Sequence, residues 1–296
     1  MRILVTGASG WIGSAVTAEL LGAGHEVVGL ARSDASAAAI ERLGATARRG
    51  DLDDPAGLAV AAADTDGVVH LAYNHDFSRM ADAAVTDRAV IEAFGDALAG
   101  SDRPLLIAAG TLGLSTDRPA TERDTADPDA HPRVANAAAA LALAERGVRS
   151  IVARFSPTVH GDGDPGFTAV LAGIARQRGV SAYIGDGANR WPAVHRADAA
   201  VLVRLALEQA PAGTVVHAVA EEGVAARDIA GALGAYLGVP TASVPAEQAA
   251  EHFGWIGGFF AADAPASSDL TRELLGWEPT HRGLLDDIAA GAYPGA

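Results

Sequence analysis

The sequence predicts an α/β protein, a parallel sheet wound on both faces by helices, with a smaller C-terminal lobe built onto it. Three observations carry that expectation. From residue 1 to about 155, short runs rich in Val, Ile and Leu alternate with longer Ala-rich amphipathic segments, the rhythm of βαβ units. Runs such as Leu105 to Ala109 are apolar throughout, which marks strands covered on both faces. A glycine-rich turn, Thr6 to Gly13, follows the first apolar run directly and opens a helix-like segment.

Each element follows in order. The first strand is Arg2 to Thr6, and the turn T-G-A-S-G-W-I-G leads into a helix over Ile12 to Leu21. In such a turn Gly7 allows the tight bend, Gly10 lets the backbone approach a pyrophosphate, and Gly13 lets helix and sheet pack closely. Free N–H groups at the helix start then face the phosphates, so a dinucleotide site is expected. The second strand, Glu26 to Ala31, ends G-L-A-R-S. An acidic residue at that point holds the ribose hydroxyl of NAD, whereas an arginine accommodates the 2′-phosphate of NADP. With Ala31 near the acid position and Arg32 and Ser33 next, NADP(H) is expected in preference to NAD(H), the alternative being that Arg32 is a solvated loop residue.

A helix over Ala35 to Leu43, a strand over Thr46 to Arg49 and a helix over Pro55 to Ala63 continue the pattern. Strands at Val68 to Ala72, Leu105 to Ala109 and Arg149 to Phe155 are separated by helices at Arg79 to Ala99 and Val134 to Arg146. Ser115 to Pro132, with three prolines among acidic residues, reads as a surface loop. Beyond Phe155 the rhythm loosens: Gly and Pro punctuate Ser156 to Gly166, helices follow at Phe167 to Gln177 and Asp198 to Gln209, and a strand at Thr214 to Val219. The tail, Val244 to Ala296, carries short helices and aromatic residues. The expected division is a cofactor-binding core over 1–155 with 197–220 packed on it, and a substrate-binding lobe from 156–196 and 221–296.

Composition removes several chemistries. All 22 basic residues are arginine, so Schiff-base chemistry is excluded, and with no cysteine there is no thiolate nucleophile, disulfide or thiolate metal site. A formal charge of -15 argues against nucleic acid and anionic membranes as partners. None of the nine histidines forms an H-x-x-x-H pair and no G-x-S-x-G elbow occurs, so metal catalysis and a serine nucleophile are not expected. The apolar strand beginning at Arg2 leaves no room for a signal peptide, and a soluble cytoplasmic protein is expected.

The ordered set TGASGWIG, GDLDD (50–54), HLAY (70–73), RFSPTVHG (154–161), GDGANRWPAVHRADAA (185–200) and LLGWEPT (274–280) resembles the extended and atypical short-chain dehydrogenase/reductases, the NAD(P)-dependent epimerase/dehydratase-like superfamily with a Rossmann-type fold. The resemblance implies cofactor contacts at Gly7, Ser9, Gly10, Trp11, Ile12, Gly13, Arg32 and Ser33, at Asp51 and Leu52, at Leu71, Ala72 and Tyr73, and at Pro157 and Val159. It implies that Trp191, His195 and Asp198 lie in a segment where a strand leads into a helix, with His195 facing the substrate and Asp198 capping that helix, and dimers built on the helices over 79–99 and 134–146. His160, past the sixth strand at the same end of the sheet, is either a substrate contact or a hydrogen-bonded structural residue, and Tyr183 and Trp191 either line the substrate side of the lobe or belong to its core.

The superfamily's catalytic Y-x-x-x-K motif is absent: Arg133 falls near the tyrosine position and Ala137 near the lysine. Ala109 stands where a serine or threonine is expected, and Thr111 is either its substitute or an ordinary turn residue. Asp87, on the fourth helix, is the candidate match for the asparagine that accompanies this motif, with Asp76 the alternative. A relocated acid is therefore sought in Y-N-H-D, Tyr73 to Asp76, past the fourth strand where ligands bind in open α/β folds. His75 beside Asp76 would titrate near neutrality, and Tyr73 would donate a proton but act poorly as a base; a hydrogen-bonded loop histidine and a helix-capping Asp76 are the ordinary readings. The expected activity is an NADP(H)-dependent oxidoreductase acting on a carbonyl or alcohol of a small molecule. An epimerase or dehydratase and a non-catalytic dinucleotide sensor are the alternatives.

Overall fold

A computed structural model describes residues 1–74, 80–114, 118–129 and 131–293. The first half of the chain runs β1 (Arg2–Thr6), α1 (Trp11–Gly22), β2 (Glu26–Ala31), α2 (Asp34–Arg42), β3 (Thr46–Arg49), α3 (Pro55–Ala63), β4 (Gly67–His70), α4 (Met80–Leu98), β5 (Pro104–Gly110), α5 (Pro132–Ala142) and β6 (Arg149–Phe155). The second half adds β7 (Thr158–His160), α6 (Phe167–Arg178), β8 (Ser181–Ile184), β9 (Arg190–His195), α7 (Arg196–Gln209), β10 (Thr214–Ala218), β11 (Glu221–Ala225), α8 (Ala226–Leu237) and β12 (Thr241–Val244). Four short helices close it: α9 (Ala249–Phe253), α10 (Gly257–Phe260), α11 (Asp269–Leu275) and α12 (Leu284–Ala289).

Seven strands form one parallel sheet in the order β10-β6-β5-β4-β1-β2-β3. The apolar runs are buried as such strands must be. Ile3 and Val5 join Val16, Leu20, Leu202 and Leu207 on the face covered by α1 and α7, while Leu4 joins Leu58, Val90 and Phe94 on the face covered by α3 and α4. Residue by residue, β5 and β6 alternate between the same two cores, Leu106 and Ile151 on one side and Leu105, Ile107 and Val152 on the other. Fully burying each such side chain contributes roughly 1.5–3 kcal/mol before the entropy of ordering is counted.

The lobe has its own core, centred on Leu171, Trp191, Ile229, Leu233, Phe260 and Ile288, between a three-stranded sheet β11-β9-β7 and the pair β12-β8. Of these elements only β9 was expected, as the strand that the resemblance places before the helix containing Asp198; the other strands and α8 went unread in the sequence. The strands are short, and α8 carries Gly231 and Gly234, which dilute its apolar period. Gly234 has a packing reason: a Cβ there would lie 2.4 Å from Thr241 Oγ1. The tail also departs from the expected division. Leu275 and Trp277 pack into the core beneath the large sheet, and the Trp277 indole donates to Asp198 O at 3.0 Å, so the chain's end is shared between both units.

Smaller corrections have local causes. The strand expected to reach Ala72 stops at His70, and the helix expected over Val134 to Arg146 begins at Pro132 and tightens into a 3-10 turn at Leu143–Arg146. The segment read as surface loop is partly tucked in, with Ala120 bridged to Ala266 and the Glu122 carboxylate accepting from Thr271 N at 2.7 Å. Among the described residues no helix is long and apolar enough to cross a membrane.

Candidate active site

The sheet order reverses at β1 and β4, which lie side by side, and in open α/β folds the crevice that receives a ligand lies outside the carboxyl ends of the strands at such a switch point. Gly7 takes φ +70° there, and a Cβ on it would sit 2.9 Å from Ala72 N. A Cβ on Gly13 would sit 2.0 Å from Gly7 O, so loop, helix and the segment just past β4 meet backbone to backbone. Gly10 N donates to Gly7 O at 2.8 Å and caps α1 without a side-chain hydrogen bond, which leaves the first-turn N–H groups for an anion. This cradle fits a dinucleotide pyrophosphate.

Ser9 and Gly10 are exposed, and Trp11 and Ile12 half-buried. The Trp11 indole donates to Val159 O at 2.7 Å, which ties β7, just past Pro157, to α1. Arg32 is exposed just past β2, and Ser33 caps α2 by accepting from Ser36 N at 3.2 Å. Asp51 and Leu52 are half-buried after β3, and Asp51 Oδ1 accepts from Asp53 N at 3.2 Å.

Leu71, Ala72 and Tyr73 follow β4 along the crevice, all half-buried. The Arg133 guanidinium, from the first turn of α5, lies 4.1 Å from the centre of the Tyr73 ring. Burial pushes the Tyr73 phenol above its ordinary value, Arg133 pulls it partly back, and Asp87 adds to the rise. The phenol thus stays protonated at neutral pH. Thr111, just past β5, is 2% exposed, and its hydroxyl has no hydrogen-bond partner among the described residues. A buried orphan hydroxyl costs about 1–3 kcal/mol, and a ligand oxygen would relieve it. His75 and Asp76 lie outside the described residues.

The expected substrate contacts are only partly accessible. His160 is 0% exposed, with Nδ1 2.6 Å from Asp287 Oδ2, and Trp191 is 1% exposed inside the lobe core, so both support the lobe instead of facing a ligand. Tyr183, half-buried on β8, packs against Gly187, where a Cβ would fall 2.6 Å from its Cδ2. His195 lines a groove of about 480 Å³ with Trp11, Gly161 and Arg196 between α1 and α7. Asp198 does not cap α7; His195 does, accepting from Ala197 N at 3.2 Å, while the Asp198 carboxylate accepts from Thr280 N and His281 N at 3.0 Å each.

Two features of this region went unread because they join distant segments. Asp287 lies 127 residues from His160, and its replacement by Asn would put an amide against the fully buried imidazole. Asp287→Asn is expected to lower unfolding stability by about 2 kcal/mol, read as a reduced denaturation midpoint with the cofactor cradle intact. His195, Asp198 and His281 offer ligand atoms within 4.8 Å of one another, the group among the described residues that could hold a metal ion. The two imidazoles are stacked 4.5 Å apart at 6°, so their in-plane lone pairs do not converge, and the start of α7 favours an anion over a cation.

Comparison with known proteins agrees with this architecture. The profile of the NAD dependent epimerase/dehydratase family matches residues 3–219. An uncharacterized protein of Schizosaccharomyces pombe is 48% identical over 294 residues, covering 99% of this chain and 100% of that protein. The 2'-dehydrokanamycin reductase of Streptomyces kanamyceticus is 30% identical over 302 residues, covering 98% of this chain and 79% of that enzyme. Among solved structures, a double mutant of dTDP-glucose 4,6-dehydratase from Streptomyces venezuelae shares the fold at a TM-score of 0.77 and 22% identity, covering 99% of this chain and 96% of that one.

Proposed function

Because this chain belongs to the NAD dependent epimerase/dehydratase family, we propose that it is an NADP(H)-dependent oxidoreductase that reduces a carbonyl of a small organic molecule, with Tyr73 as its proton donor. The observation that carries this reading is the Tyr73 phenol beneath Arg133 at 4.1 Å, beside the glycine cradle. The helix position that resembles the superfamily's tyrosine holds Arg133, and a tyrosine from the segment that follows β4 meets it there. Bound NADPH would supply the hydride. The cradle of Gly7, Gly10 and Gly13 would hold its pyrophosphate, Thr111 would hold the substrate oxygen, and Tyr73 would deliver the proton as charge develops there.

Epimerases and dehydratases that oxidise first must take a proton from a hydroxyl. A phenol raised by burial is protonated at neutral pH, so the proton for reduction is in place while the phenolate that the oxidation needs is scarce, which favours reduction. The similarity to an enzyme named as a reductase points the same way. Loss of NADPH absorbance with a panel of small carbonyl compounds tests the proposal. Saturable NADPH binding with no turnover on any of them would overturn it, and copurifying cofactor that is never consumed would favour the epimerase or dehydratase reading.

The preference for NADPH rests on Arg32, exposed where a 2′-phosphate would lie. Arg32→Ala is expected to weaken NADPH about tenfold, the loss of one charge-assisted contact at an exposed site, and to leave NADH unchanged. Titration calorimetry with both cofactors checks this, and tighter NADH than NADPH binding by the parent protein would refute it.

A further inference from the structure

A chain of hydrogen bonds runs beneath the crevice from the dinucleotide loop to α5. Ala72 N donates to Thr6 Oγ1 at 3.1 Å, so the Thr6 hydroxyl hydrogen is left for His70 Nδ1, 2.7 Å away. Nδ1 is then the acceptor, and the ring proton sits on Nε2, which donates to Asp87 Oδ1 at 3.2 Å. The other Asp87 oxygen accepts from Asn136 Nδ2 at 2.7 Å, and the same amide donates to Ala84 O at 2.9 Å. Only this order satisfies every group. The opposite tautomer would set a bare Nε2 against the carboxylate and leave the Thr6 hydroxyl without an acceptor. The imidazole is 2% exposed, with Phe94 edge-on at 5.6 Å, so water does not replace a lost partner cheaply.

What the chain joins gives it a role. Thr6 precedes Gly7, the residue pressed on Ala72, and Ala72 precedes Tyr73. Asn136 stands one helical turn after Arg133, on the same side of α5. One carboxylate therefore registers both the loop that receives the cofactor and the helix whose guanidinium covers Tyr73.

We propose that His70, Asp87 and Asn136 are positioning residues that couple the dinucleotide loop to the Tyr73–Arg133 pair, so that occupancy of the loop and the setting of the proton donor change together. The inference rests on the reading of Tyr73 given above and adds to it a linkage between two sites, which must be reciprocal. A merely structural chain would hold the fold and leave Tyr73 indifferent to the cofactor.

The test follows Tyr73 without turnover. The protein has four tyrosines, so the difference in phenolate absorbance between the parent and Tyr73→Phe isolates the ionisation of Tyr73. In the parent, saturating NADP+ is expected to move that midpoint by about one pH unit, the counterpart of about a tenfold change in affinity. Asp87→Asn sets an amide against one of two donors and removes a charge that raises the phenol. It is expected to lower the midpoint in the free protein, to abolish most of its response to NADP+, and to weaken NADP+ about tenfold. Should Asp87→Asn fail to fold, Asn136→Ala cuts only the α5 end and is expected to abolish the same response. A parent whose Tyr73 ignores bound NADP+, or a folded variant that responds as the parent does, would overturn the coupling while NADPH turnover upheld the proposed function. No binding of either dinucleotide would overturn both.

Discussion

Replacing Tyr73 with Phe is expected to lower kcat/KM for carbonyl reduction by about 10²–10³-fold while NADPH affinity stays within about twofold of the parent. The substitution removes one oxygen and nothing else. The ring remains under the Arg133 guanidinium at 4.1 Å, and the cradle is untouched. A positioned general acid contributes about 10²–10⁴-fold, and the loss falls on kcat because the proton is needed only as the oxygen gains charge. The pH profile adds a second check. Reaction requires the protonated phenol, which burial holds above its ordinary value, so the rate should be flat through neutrality and fall only above about pH 10. A limb near neutral pH would instead identify a histidine such as His75 as the donor. Unchanged turnover in Tyr73→Phe would remove this tyrosine from the chemistry.

The cofactor half of this protein was legible because its constraints are local. A strand buried on both faces must be apolar throughout, as Leu105 to Ile107 are, and a helix pressed on a strand needs glycine where Gly13 stands. The lobe obeys constraints that its sequence does not carry locally. The three residues of β7 are strand only because β9 lies beside them. Tyr73 was visible as a protic residue past β4, but its meeting with Arg133, 60 positions on, follows from how α5 returns across the sheet. His70 was hidden for the opposite reason. A histidine at the end of an apolar strand carries no periodic signal, and its partners Thr6 and Asp87 lie 64 and 17 residues away. His160 shows the risk of reading a role from motif position alone: it sits at the expected end of the sheet, yet it is spent on Asp287.

The other large effect lies in the loop. Gly13→Ala is expected to weaken NADPH about 100-fold, measured by titration calorimetry, with the change read in affinity before it is read in rate. The added methyl would fall 2.0 Å from Gly7 O and 3.2 Å from Ala8 Cα, both main chain, so no side chain can turn aside to admit it. Either α1 moves off the sheet or the Gly7 turn opens. The first exposes Val16 and Leu20 from the core, and the second releases Gly7 from its close approach to Ala72. Overpacking of this kind costs about 1–3 kcal/mol even where the surroundings yield, and a fixed backbone puts this site at the upper end. If that strain falls on the loop alone, about 3 kcal/mol is about 100-fold in affinity. Gly10→Ala is the internal control, because a Cβ there meets only Gly7 O, at 3.1 Å, and its packing cost should be smaller. A Gly13→Ala protein that folds and binds NADPH as the parent does would show that the pyrophosphate does not use this turn, and the dinucleotide assignment would fall with it.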